Sequence, residues 1–189
     1  MERIDLNIER NYCPDWTARN GLREMVQNWW DAVRVSEETV NVRKQPGAGA
    51  IFSAVGDGVE QGRISEEADG SFLELWNHGS LGREVLTLGN TTKRACGQSW
   101  AGGHGEGLKV GALALVRAGH NVTVESGEGE VWSFQLDDSN QFHVTSRKEL
   151  NQQPGIVRVR VSGAPIDPIF APSDYLFFSA AASAGIFES

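Results

Sequence analysis

Leu22-Arg23-Glu24-Met25-Val26-Gln27-Asn28-Trp29-Trp30-Asp31-Ala32 is the stretch on which the reading of this chain turns. Glu24, Asn28 and Asp31 stand at i, i+4 and i+7, so a 3.6-residue period stacks them along one side of a helix. Leu22, Met25, Val26, Trp29, Trp30, Ala32 and Val33 supply an apolar remainder suited to a core. Two carboxylates and an amide leaving an apolar helix together cost desolvation energy unless they find partners. A metal ion, an activated water or a phosphate would serve. A cap network with otherwise solvated polar groups is the plainer alternative, and the segment alone leaves both open.

The helix is expected over Trp16–Val35, capped at Asp15 or Thr17, with Gly21 as a local weakness. KQPGAGA (44–50) reads as a turn or loop, followed by a strand near Ile51–Val55 and a polar, glycine-containing connection. Ser71–Trp76 reads as a strand running into a turn at Asn77-His78-Gly79-Ser80. Arg83–Leu88 reads as a short helix, and Gly89–Gly103 as a loop of small and polar residues. A second helix runs from Gly105 or Glu106 to Arg117 and is ended by Gly119. The remaining third turns to strands: NVTVES (121–126), EVWSFQL (130–136), QFHVTS (141–146) and GIVRVRVSG (155–163). In the last of these, valine alternating with arginine predicts a half-exposed antiparallel strand with Arg158 and Arg160 toward solvent. The apolar ending (171–189) reads either as a final strand and short helix or as the stub of a longer protein. Early helices and late meandering strands predict an α+β two-layer sandwich, its mixed, mostly antiparallel sheet covered on one face by helices.

A chain of 189 residues with 40% hydrophobic residues, six tryptophans and eight phenylalanines is one folded domain of ordinary size. Its formal charge of −8 argues against a broad basic surface for nucleic acid. Cys13 and Cys96 have no metal-ligand spacing. MERIDLNIERN (1–11) has no apolar secretory core and no apolar run reaches membrane-spanning length, so an intracellular place, cytoplasm or nucleus, is expected. Trp29, Trp30, Trp132 and Phe134 read as packing residues. Trp76 and Trp100 flank the candidate loops, so contact with a ligand is weighed there beside packing.

The second chemical signal is Gly102-Gly103-His104-Gly105-Glu106-Gly107-Leu108-Lys109, a glycine cluster that opens a helix. Glycines allow close backbone approach, and the N–H groups of a first helical turn favour an anion. Lys109 adds a point charge suited to phosphate. The segment lacks the G-K-[ST] ending of a P-loop, and no βαβ pattern surrounds it. Phosphate binding and a mobile or helix-starting turn both remain open from the residues alone.

The order of these pieces says more. E-x-x-x-N-x-x-D-A on a helix, a strand ending in N-H-G-S, then L-G-N-T-T-K, then G-G-H-G-E-G-L-K-V-G-A-L resembles the GHKL ATPase superfamily of gyrase B, Hsp90, MutL, histidine kinases and MORC proteins. LGNTTK together with GEGLKVGALAL is most similar to MORC-like and Crinkler-effector-related ATPase domains. The resemblance covers Leu22 through Val124, and more loosely the strands to Gly163. It implies a Bergerat-type sandwich and one ATP-binding domain over 1–189, either by itself or as the N-terminal fragment of a longer protein. It also implies Mg²⁺-dependent ATP binding, with slow hydrolysis that drives a conformational or dimerisation switch. A nucleotide-gated interaction module without significant turnover is the alternative. ATP, ADP, a nucleotide-dependent homodimer and an effector or transducer domain outside this chain are the implied partners; no membrane partner is expected, and the sequence gives no direct evidence for nucleic acid.

Residue by residue, the resemblance makes Glu24 the general base that polarises the attacking water. It makes Asn28 the Mg²⁺ ligand. Asp31 matches an acid of the same motif, structural or near the adenine pocket. Gly79 matches a glycine that lets backbone lie close to the base. Thr92 and Lys93 fall where a loop approaches the phosphates. Gly103, His104, Gly105, Glu106, Gly107 and Leu108 match the lid hinge and helix start that cradle them, with Lys109 alongside. Asn77 departs from the family's aspartate, which accepts a hydrogen bond from the adenine amine. An amide oxygen also accepts that bond, without charge assistance, and its NH₂ then needs another partner. His78 is read either into the pocket or as a surface residue.

Overall fold

The computed structural model describes residues 1–35, 40–45, 51–67, 69–87, 106–149 and 153–165. In chain order the elements are β1 (Glu2–Glu9), α1 (Ala18–Val35), β2 (Asn41–Gln45), β3 (Ile51–Gly56), β4 (Val59–Glu66), β5 (Phe72–His78), a 3₁₀ turn (Arg83–Leu86), α2 (Gly107–Arg117), β6 (Asn121–Glu125), β7 (Glu130–Leu136), β8 (Gln141–Lys148) and β9 (Ile156–Ser162). The strands form one nine-stranded sheet in the order β1-β8-β7-β6-β9-β5-β4-β3-β2. The chain is therefore α+β. The expected mixture of strand directions gives way to antiparallel pairing throughout the described sheet. Hairpin connections explain most of this, because sequential strands joined by short turns can pair only antiparallel.

One terminus of each helix follows from local chemistry. At α1, the Thr17 hydroxyl accepts from Asn20 N–H (3.4 Å), while Asn20 Oδ1 accepts from Thr17 N–H (3.0 Å), a reciprocal box of the kind that satisfies orphan donors. Of the two expected caps, the chain uses Thr17. At the end of α2, Gly119 takes φ +93°, Gly119 N–H reaches Val116 O and His120 N–H reaches Leu115 O, both at 3.0 Å. This pair of bonds is a Schellman close, and it accounts for the expected stop at Gly119.

The helices pack on each other, with α1 against β4 and β5 and α2 against β6 and β7. Leu22, Met25, Val26, Trp29 and Val33 of α1 join Leu113 and Leu115 of α2 in one core with Leu73, Leu75, Val122, Val124, Trp132, Phe134 and Val161 of the sheet. Gly21 is not the weakness its helix propensity suggests. A β-carbon there would lie 2.5 Å from Gly111 O and 3.0 Å from Leu115 Cγ, so the helices cross backbone to backbone at this point.

Three strands escape the sequence pattern for identifiable reasons. β1 carries a register shift between Asp5 and Ile8, with Asn7 at φ +55°, which breaks its alternation. β2 is a five-residue polar edge strand. β4 is interrupted by Gly62, where a β-carbon would meet Trp76 O, Val33 Cγ1 and Trp29 Nε1 at 2.6–2.8 Å. Its glycine is thus a seat for α1, not a loop signal. β5 continues through Asn77 and His78, which were expected in a turn, and the short helix is a 3₁₀ turn that ends at Leu86.

In an open helix, Gly→Ala stabilises by about 1 kcal/mol. Gly21→Ala is expected to do the reverse, costing about 1–3 kcal/mol by overpacking the crossing. Urea denaturation of both proteins checks the sign, and a stabilised variant would contradict the close crossing.

Candidate functional site

Glu24 lies one turn beyond Gly21, and Gly107 one turn before Gly111, so the close crossing sets these two next to each other. A β-carbon at Gly107 would stand 2.7 Å from Glu24 Oε2 and 3.9 Å from Asn28 Nδ2. A side chain at position 107 would push the Glu24 carboxylate aside, so glycine lets that carboxylate rest at the head of α2. Glu24's other oxygen, Oε1, lies 3.8 Å from the largely exposed Arg23 guanidinium. The expected line on α1 and the expected glycine-rich helix start therefore meet. Asp31, third in that line, is 5% exposed and accepts from Gln27 Nε2 at 3.0 Å along the same helix. Leu108 is half-buried and packs against the core.

Lys109 goes elsewhere. Its side chain is fully buried, and Nζ donates to Val85 O (3.1 Å) and Thr87 O (2.6 Å). Burial pushes the ammonium's pKa below its ordinary value, and the Glu106 carboxylate opposes that shift. The expected phosphate-side lysine is thus a tie between the first turn of α2 and the end of the 3₁₀ turn, where unpaired carbonyls accumulate.

Asn77 and Gly79 form a second group. Asn77 pairs with Gly62 across β5 and β4, and both face α1, where Trp29 donates through Nε1 to Trp76 O at 2.8 Å. Asn77 is 7% exposed, and its Nδ2 donates to His78 O at 2.9 Å. The NH₂ group that needed a partner has one in its own backbone. Gly79 takes φ +142° and is pinned from behind: its N–H reaches Gly155 O at 2.9 Å, and Leu81 N–H reaches Ser126 O at 2.7 Å. Gly127 has to be glycine for the same reason, since a β-carbon there would meet Gly79 O at 2.6 Å. Trp76 and His78 alternate to the other face of the sheet and pack edge to face at 5.8 Å. Neither side chain shares a face with Asn77, so strand alternation removes both from a pocket beside it. Arg158, expected in solvent, is only partly so: it pairs with Glu74 and Glu125, while the more exposed Arg160 pairs with Glu74.

Thr92, Lys93, Gly103, His104 and Gly105 lie outside the described residues, as do Cys96 and Trp100. Among the described residues, no group of three or more His, Cys, Asp or Glu side chains could hold a metal ion, and no helix is long and apolar enough to cross a membrane. Cys13 is a free, half-buried thiol. The chain matches no protein-family model and no curated protein.

One network was not foreseen from sequence. Arg83, at the head of the 3₁₀ turn, forks onto Glu130 at 2.7–3.0 Å and onto Glu2 at 2.8 Å. Glu130 also accepts from Trp132 Nε1 (3.0 Å) and Ser146 Oγ (3.2 Å). It anchors the segment that leads from Gly79 toward Thr87. The cross-strand separations involved carry no short-range sequence signal. The Arg83 guanidinium and these donors hold the Glu130 carboxyl down to about 2 from an ordinary 4.5. A depressed carboxyl pKa contributes stability that is full above 4.5 and lost as pH falls toward about 2. Glu130→Gln is therefore expected to destabilise the fold at pH 7 and to flatten the loss of stability between those two pH values. Chemical denaturation across that range measures it, and parallel wild-type and variant curves would contradict the network.

Proposed function

We propose that this chain is a Bergerat-type ATP-binding domain that binds Mg-ATP, hydrolyses it slowly, and couples nucleotide occupancy to a conformational or dimerisation switch. The observation that carries the reading is the seating of Glu24 and Asn28 beside Gly107, the first residue of α2. A water-activating carboxylate and an oxygen-donor amide beside a helix N-terminus suit a phosphate that must be bound and attacked.

In this reading the first-turn N–H groups of α2 receive the phosphates. Glu24 accepts a proton from a water directed at the γ-phosphorus. The water oxygen forms the new P–O bond, and the β–γ bridging bond breaks with its electron pair leaving on ADP. The donor set fits Mg²⁺ without a protein cage, because that ion takes one or two protein oxygens and completes its shell with phosphate and water. Asn28 is the residue that would hold it, through its side-chain oxygen, and the ion would neutralise charge on the phosphates. Asn77 receives the base: with Nδ2 engaged by His78 O, its Oδ1 serves as acceptor for an exocyclic amine. A transducer domain outside this chain and an intracellular place belong to the same proposal. Asn77 also favours a second reading, a nucleotide-gated interaction module with negligible turnover, because a neutral acceptor binds the base less strongly than a carboxylate.

Glu24→Ala is expected to lower ATP turnover about 10²-fold or more, with Mg-ATP affinity nearly unchanged. Phosphate release alongside equilibrium binding measures both, and a variant that hydrolyses at the parental rate would remove Glu24 from the mechanism. Binding by the parent without phosphate release would favour the module. Asn77→Asp is expected to tighten ATP binding about threefold to tenfold through a charge-assisted bond. Titrating ATP against GTP with both proteins tests this, since equal changes for the two bases would place Asn77 outside base recognition.

A further inference from the structure

Glu106 opens α2 with a carboxylate, yet the carboxylate does not cap the helix. Its backbone is helical (φ −98°, ψ −14°) and its side chain makes no cap hydrogen bond. A carboxylate in this place is drawn toward the positive end of the helix. Instead, Oε2 accepts from the Tyr12 hydroxyl at 3.2 Å. Tyr12 is 41% exposed, so filling the core does not account for its position.

Tyr12 belongs to the strap that joins β1 to α1, and α2 itself clamps that strap. Arg117, in the last turn of α2, donates through Nη1 to Arg10 O (3.1 Å) and Tyr12 O (3.2 Å), and through Nη2 to Cys13 O (3.2 Å) and Trp16 O. Turn bonds from Tyr12 N–H to Glu9 O (3.0 Å) and from Trp16 N–H to Cys13 O (3.1 Å) stiffen it further. One segment is thus tied to both ends of the helix: by guanidinium to backbone at the C-terminus, and by phenol to carboxylate at the N-terminus. Lys109, the nearest cation in sequence, is turned to Val85 and Thr87 and forms no hydrogen bond to Glu106.

Resting on the nucleotide reading above, we infer that Tyr12 is a positioning residue that holds the Glu106 carboxylate aside from the head of α2 and so keeps that position open to phosphate. Released, Glu106 becomes a built-in competitor. It adds a second carboxylate beside Glu24 and takes up the helix-end field that an incoming phosphate needs.

The test is a double-mutant cycle on the whole chain, with Mg-ATP as probe and thermal unfolding as control. Tyr12→Phe keeps the ring and is expected to weaken Mg-ATP binding about threefold to tenfold, the range of one modest hydrogen bond, at unchanged Tm. Glu106→Gln removes the competing charge and is expected to bind more tightly than the parent. In that background, Tyr12→Phe is expected to have no effect. A Tyr12→Phe protein that binds like the parent, or a loss that persists in the Glu106→Gln background, overturns the inference while leaving the nucleotide reading intact. A structural role alone would lower Tm without this dependence on Glu106. A parent chain that shows no saturable Mg-ATP binding overturns the nucleotide reading, and this inference with it.

Discussion

Gly21 and Gly111 meet where α1 crosses α2, and a β-carbon on either would press on the other's carbonyl oxygen, at 2.5 Å from Gly21 and 3.0 Å from Gly111. Interhelical distance depends on the side chains at the contact, and two glycines allow close approach. Everything that makes the candidate site a site depends on this approach. With larger residues at the crossing, Glu24 and Gly107 would stand a side chain's width apart, and the carboxylate would face solvent instead of a helix terminus. The glycines thus give up helix propensity to place chemistry one turn away on each helix. The same exchange recurs at Gly62, which surrenders strand propensity so that Trp29 and Val33 can rest on β4.

How much of this the sequence disclosed depends on the range of the signal. The long strands of the final third and both helices were legible within a residue or two, because their periodicity or terminal chemistry is local: Val122/Val124, Trp132/Phe134 and Val157/Val159/Val161 alternate, and Thr17 and Gly119 mark helix ends. β1, β2 and β4 were not legible, since a register shift, a polar edge and a glycine each erase period-two patterning. The meeting of Glu24 with Gly107 was legible only as motif order. Its geometric cause was misread, because a glycine inside a helical pattern looks like a defect until its partner on another helix is known. Pairing Gly21 with Gly111-x-x-Ala114 is the signal that would have exposed it, since both segments show small residues on the helix face they share.

Lys109 illustrates the converse error. A lysine one turn into a glycine-rich helix start reads as a phosphate contact, because sequence reports charge and not direction. In the fold its stem runs through the core, and its ammonium closes the carbonyl end of the 3₁₀ turn. A buried ammonium satisfied by two carbonyls is a costly choice against an apolar residue. The cost is offset by the two hydrogen bonds the ammonium makes, to the carbonyls of buried Val85 and exposed Thr87. The same charge that looks like a ligand contact is therefore accounted for by backbone satisfaction.

That reassignment changes the electrostatics of the proposed site. The chain carries a formal charge of −8, and the two cations nearest the Glu24 corner in sequence are both committed: Arg23 is ion-paired with Glu24, and Lys109 is bonded to backbone. Among the described residues, the attraction for a triphosphate then falls on the α2 N–H groups and on the ion that accompanies the nucleotide. A helix terminus carries about half an elementary charge and is screened by salt, which is too little to hold four negative charges beside a carboxylate. Under the proposed nucleotide reading, an ion that accompanies the phosphates would supply attraction that Lys109 does not. Under that proposal, the affinity ratio between ATP with and without Mg²⁺ measures the ion's share of the binding.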